Sequence, residues 1–193
     1  MRLGVLERGH PFGTKVLFAM IRAFSGQPVL DVVRLAKYRP DFYGDPMQAV
    51  TQEVMRGPSS WSVGDRELMA ALVAKTNGSE WCIRAHSAVA NRAYGDETKV
   101  AAVLADLDTA PIEEPLRATL RLLRKLTRER SVDANDVRAV LASGASRAQI
   151  ADALAVGFAF NVIARLADAF GFHQPGPEAF AAGAKYLLTR GYR

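Results

Sequence analysis

SVGDRELMAALVAKTNGSEWCIRAHSAVANRAYG, residues 62–95, decides how the chain is read. Ser62 followed three residues later by Asp65 is a helix-opening pattern, and Asn77-Gly78 is a helix stop. Ser79 then stands where a new helix would be capped, and Gly95 closes that second helix over about 80–94. Two helices joined by so tight a turn pack antiparallel. The stretch also holds the only cysteine, Cys82, and one of three histidines, His86, four residues on. A spacing of four puts both on one helix face, which Val89 and Ala93 continue.

Outward from this hairpin the same periodicity continues. Apolar residues recur at helical spacing over 14–25 and 28–39. KYRPDFYGDP (37–46) is a break, and 46–56 is a helix ended by Gly57 and Pro58. A shorter helix is expected over 97–107, and DTAPIEEP (108–115) is a linker. Beyond it, 114–129 is amphipathic, SVDANDVRAVLASG (131–144) opens with Asp133 as cap, and SRAQ (146–149) is a capping box ahead of an apolar helix to about 170. PEAFAAGAKYLLTRG (177–191) is a last helix. No segment alternates with period two, so the fold class is all-α. SVGDREL (62–68) and SVDANDV (131–137), each followed by a helix that ends in Gly95 or Gly171, suggest a duplicated helical hairpin.

Composition excludes several function classes. The 193 residues carry 25 lysines and arginines against 20 aspartates and glutamates, a net charge of +5. In RATLRLLRKLTRER (117–130) the basic residues alternate with leucines at helical spacing, as on a solvated helix face, and no zinc-finger or RNP pattern accompanies them, so no nucleic-acid partner is expected. One cysteine forms no intramolecular disulfide and no cysteine-rich zinc site. VLFAMI (16–21) is too short to span a bilayer and has no cleavage site after it, so the expectation is a cytoplasmic protein without a membrane partner. His10 and His173 have no ligand cluster around them, and neither metal nor cofactor is called for. Asn161, Arg165 and Asp168 share a helix face, where Arg165 and Asp168 are an i, i+3 ion pair by default.

Cys82 would be the third residue of its helix. Free N–H groups and the partial positive charge of a helix N-terminus stabilise a thiolate and lower the thiol pKa. His86 would take the proton, and Glu67, on the preceding helix beside Ala71 and Ala74, is the carboxylate placed to orient it. Trp81 would shield the sulfur or serve as a core aromatic, and Arg84, two residues from Cys82, points to another face. A lone cysteine is equally an inert core residue. The residue types leave both readings open.

The spacing of Glu67, Ser79, Cys82 and His86 resembles the E-x11-C-x2-C-x3-H motif of the alkyl hydroperoxidase D and carboxymuconolactone decarboxylase superfamily. YRPDFYGDP (38–46), the WSVGDREL lead-in (61–68) and FNVIARLADAFGF (160–172) are similar to its peroxidase-related branch. The resemblance covers about residues 35–175. It implies an AhpD-like helical bundle, one domain over 1–193, and a homo-oligomer. It implies Cys82 as peroxidatic nucleophile with His86 and Glu67 as its proton relay, supported by Ser79 and Trp81. The chain departs from the motif at Ser79, where the family has its resolving cysteine. Ser79 would cap the helix and hydrogen-bond the thiolate, but turnover would need an external thiol or thiol reductase. The implied function is a thiol-dependent alkyl hydroperoxide reductase. The alternatives are a cysteine-independent acid–base enzyme on a lactone-type substrate, or a non-catalytic oligomeric scaffold.

Overall fold

The computed structural model describes residues 2–192. Met1 and Arg193, which the expected domain bounds include, lie outside the described residues. Among the described residues there are eleven α-helices, one π-helical turn and no strand. In order they are α1 (Val5–Arg8), α2 (Phe12–Ser25), α3 (Asp31–Tyr38), the π turn (Pro40–Gly44), α4 (Asp45–Arg56), α5 (Val63–Asn77), α6 (Glu80–Tyr94), α7 (Glu97–Ala105), α8 (Glu114–Glu129), α9 (Ala134–Ala142), α10 (Arg147–Phe170) and α11 (Pro177–Arg190).

α5 is the axis of the bundle. Its residues Arg66 to Ala74 are all buried, with α6, α8 and α10 packed around them. A helix covered on every side offers no solvated face, so any charge it carries must find partners inside. Arg66 and Glu67 are the two charges that must do so. The start of α5 is fixed by a capping box: Ser62 Oγ accepts from the Asp65 amide at 3.0 Å and the Asp65 carboxylate accepts from the Ser62 amide at 3.1 Å. Its end is a Schellman turn. The Ser79 amide donates to the Ala74 carbonyl at 2.9 Å, with Gly78 at φ 75°, a conformation that costs glycine nothing. That turn brings α6 straight back along α5.

The main core joins Leu68, Leu72, Val73, Val100, Leu120, Leu123, Val156 and Phe160 across α5, α7, α8 and α10. A second cluster, Ala118, Leu122, Val140, Ala145 and Ile150, seals the outer side of α8. α10 is long and apolar enough to cross a membrane by length and composition, but half of its most apolar stretch is buried against the bundle.

Two expectations change, and one helix is left uncovered. The break at 37–46 is a π turn that runs directly into α4, so the chain turns without leaving helical geometry. The suggested duplication does not extend to structure: the second copy is capped by Asp133 rather than Ser131, and α9 packs on α8, whereas α5 and α6 pair along their length. α2 has no buried residue, and Phe12, Val16, Met20 and Phe24 are exposed.

Candidate functional site

Glu67 is completely buried, and three donors from three different elements converge on its carboxylate. Arg56, at the end of α4, places Nη2 2.7 Å from Oε1. His86 on α6 places Nδ1 2.8 Å from Oε2. Tyr192, beyond α11, donates its hydroxyl at 3.0 Å to Oε1 and 3.2 Å to Oε2. Burial alone would raise the Glu67 carboxyl, but the hydrogen bond and charge of His86 and the charge of Arg56 outweigh it and hold it below its ordinary value. Burial and the Glu67 charge push Tyr192 well above the usual phenol range, so it remains a donor.

Because Glu67 is ionised and can only accept, His86 Nδ1 carries the proton in this bond. When the ring is neutral, Nε2 is the nitrogen left to accept a proton. Its ring is fixed edge-on against Phe160 of α10, with centroids 4.3 Å apart. Arg56 is itself held: Nη1 donates to the Met55 carbonyl at 2.8 Å, Nη2 to the Leu187 carbonyl at 3.3 Å, and the guanidinium lies 5.0 Å from the Tyr192 ring centroid.

Cys82 is the third residue of α6 and is fully buried. Its position matches the sequence expectation, but its electrostatics do not. Burial pushes the thiol up to about 12, the hydrogen bond with Ser79 acts downward, and the charge of Asp168 adds to the rise. The helix N-terminus was expected to lower it. Desolvation of a fully buried sulfur exceeds the effect of half a charge at the helix end. No hydrogen bond joins Cys82 to His86, although they share a helix face.

Ser79 occupies the N-cap position without capping. Its hydroxyl reaches Asp168 Oδ1 at 2.9 Å and the Ala164 carbonyl at 3.3 Å, both on α10. A hydroxyl has one proton to give. Ser79 therefore shares that proton between Asp168, the Ala164 carbonyl and the Cys82 sulfur, whose thiol pKa its hydrogen bond lowers.

Asp168 therefore pairs with Ser79, not with Arg165 as its spacing predicts. Asn161, on the same helix, bonds instead to Thr127 at 3.2 Å and accepts from Asn77 at 3.0 Å. Trp81 is a core aromatic, edge-on to Phe172 and Phe180, with its indole nitrogen buried and unpartnered. Arg84 lies over the Phe180 ring at 5.9 Å. His10 is buried in the N-terminal region with Nε2 2.9 Å from the Leu6 carbonyl, away from the Glu67 cluster, and the His173 amide bonds Asp31. No group of three or more potential metal ligands occurs among the described residues.

Sequence reasoning missed Arg56, Tyr192 and Tyr43. Arg56 had only the signal of a basic residue at a helix end, and Tyr192 had none. Tyr43, on the π turn, is pushed up to about 12 by burial and by the nearby Cys82.

Residues 40–125 match the model of the carboxymuconolactone decarboxylase family. The matched segment is somewhat under half of the chain. It contains Arg56, Glu67, Ser79, Cys82 and His86, while Asp168 and Tyr192 come from outside the matched family segment. Two solved structures share the fold. An uncharacterized peroxidase-related protein from Silicibacter sp. TM1040 is 24% identical, with 86% of each chain covered and a TM-score of 0.73. An alkylhydroperoxidase AhpD core from Ralstonia eutropha JMP134, also described as an uncharacterized peroxidase-related protein, is 21% identical, with 91% of this chain and 92% of that chain covered and a TM-score of 0.75. No curated protein matches the chain. These neighbours bear out the AhpD-like all-α fold.

Proposed function

We propose that the chain is a thiol-dependent peroxidase for small organic hydroperoxides, with Cys82 as the reacting thiol and the Glu67–His86 pair as its proton relay. The observation that carries this reading is the 2.8 Å bond from His86 Nδ1 to the buried Glu67 carboxylate, one helical turn from the only cysteine. Such a bond fixes the tautomer and orients Nε2 as the acceptor.

In the reaction, the Cys82 sulfur attacks the distal oxygen of the hydroperoxide and the O–O bond breaks. The thiol proton leaves through His86 and returns to the departing alkoxide, giving an alcohol and a sulfenic acid on Cys82. One external thiol converts the sulfenic acid to a mixed disulfide with loss of water, and a second releases Cys82 as the thiol. The high thiol pKa makes proton removal by His86 part of the attack rather than a step before it. The site works within a homo-oligomer, supported by the exposed apolar residues of α2.

The test is intact mass of the reduced protein after one equivalent of cumene hydroperoxide with dimedone as trap, and Cys82→Ser as control. A dimedone adduct forming only in the wild type, and faster than on free cysteine, is expected. No adduct, or one no faster than on free cysteine, would sink this reading.

A second reading is supported by the burial of the Cys82 thiol and by the bond from Ser79 to Asp168. In it, Glu67 and His86 perform acid–base chemistry on a lactone-type substrate without the sulfur. Cys82→Ser then retains activity that His86→Gln abolishes.

A further inference from the structure

Glu67 and His86 account for a proton relay, but they do not account for Arg56 and Tyr192. Both spend their strongest interactions on a carboxylate that His86 already satisfies on one oxygen. The geometry points to Arg56 and Tyr192 as positioning residues that neutralise Glu67 and so keep His86 an uncharged base with Nε2 open to a proton. This rests on the proposed role of His86 as proton acceptor.

The argument is one of charge in a buried site. Arg56 Nη2 lies 2.7 Å from Glu67, and its side chain is only 10% exposed. One guanidinium and one carboxylate cancel. A proton added to His86 would leave the cluster with a net positive charge in low dielectric, which desolvation disfavours. Without Arg56, the carboxylate would be matched by an imidazolium, and the ring would hold its proton instead of taking the substrate's. Tyr192 acts in the same direction more weakly, by spreading the carboxylate charge through a neutral donor.

His86 meets the Glu67 carboxylate from α5 and the Phe160 ring from α10. Arg56 comes from α4 and Tyr192 from beyond α11. Arg66, the other buried cation of α5, donates to the Val54 and Gly57 carbonyls and feels Arg56 as a like charge. It adds to the potential that opposes an imidazolium. Tyr192 is positioned by its amide, which donates to Gln52 Oε1 at 2.7 Å, so the ring reaches Glu67 from a fixed anchor on α4.

The test is an NMR titration of ring-labelled histidine in the folded protein, with the His86 signal assigned by its loss in His86→Gln. The expected result is a His86 titration midpoint that moves to higher pH, by about half a pH unit in Tyr192→Phe and about one in Arg56→Met, with Arg56→Lys restoring most of the latter. Midpoints equal to wild type in both variants, with circular dichroism showing them folded, would overturn the proposal. If Arg56→Met does not fold, Tyr192→Phe, which keeps the ring, decides alone. The readout needs no turnover. A shifted midpoint in a protein that forms no dimedone adduct would uphold the positioning roles while removing the peroxidase reading.

Discussion

Ser79 Oγ lies 2.9 Å from Asp168 Oδ1, so the hydroxyl one turn before Cys82 is shared with a carboxylate. That carboxylate also repels a thiolate at Cys82. Asp168→Asn removes the charge and frees the serine proton for the sulfur. Iodoacetamide labelling of the folded protein should then accelerate several-fold, and its pH profile should move to lower pH. An unchanged profile would mean that burial alone sets the thiol.

Ser79→Cys restores two thiols at i, i+3, where side chains on a helix lie about 5–6 Å apart at Cβ. This is close enough for a bridge after a small backbone adjustment at the helix start. The reduced variant treated with a hydroperoxide should lose two hydrogens and no longer accept dimedone. A stable sulfenic acid in this variant would show that the α5–α6 turn holds the two positions apart.

The Cys82 thiol titrates near 9 when exposed and near 12 when folded. Between these values the unfolded chain has released a proton that the native chain keeps. Fewer protons bound in the unfolded state means that stability falls as pH rises. This group contributes a slope of about 1.4 kcal/mol per pH unit above pH 9. Cys82→Ala should show less of this alkaline loss in urea melts, although it starts from a lower stability because it leaves a cavity.

Glu67 gives the opposite limb. Its folded carboxyl is depressed, so its contribution is present above the unfolded value of about 4.3 and is lost as pH falls through the lower folded value. Glu67→Gln should flatten the acid limb. At neutral pH it should cost about 3–5 kcal/mol, because Arg56 is left buried without a counter-charge. A Glu67→Gln melt within error of wild type would contradict the central place given to this carboxylate.

Gly64, in the first turn of α5, is pressed against the Tyr94 ring. A Cβ there would lie 2.6 Å from the ring edge. Gly64→Ala must displace the ring and weaken its 2.7 Å hydrogen bond to Asp65. The expected cost is about 1–3 kcal/mol, or roughly 2–4 °C of melting temperature per kcal/mol.

The parts of this chain that were legible in sequence are those that depend on local spacing. Ser62–Asp65, Ser146–Gln149 and the Asn77-Gly78 stop marked three helix ends, and the turn they enclose forced α5 against α6. The Glu67–His86 contact followed, because a nineteen-residue separation across a tight hairpin is nearly local. The misses depend on what approaches from afar. Tyr192 reaches Glu67 across 125 residues and Asp168 reaches Ser79 across 89, and no periodicity announces either. The same applies to the thiol of Cys82. Its helix position was readable, but the burial that raises it is set by α10 and the π turn, which bring Asp168 and Tyr43 to the sulfur.

α10 poses a problem of timing rather than of energy. A helix this apolar, met alone as it leaves the ribosome, has the character of a membrane segment. Its partners in the bundle are α4, α5, α6 and α8, and all of them precede it in the chain. When α10 emerges, the surface that covers it has already been synthesised, and each turn can dock as it appears. Gene order within the polypeptide thus acts as a safeguard: a circular permutant that begins at α10 would expose this helix before any partner existed, and would be expected to aggregate or be misdirected even though its final fold is unchanged.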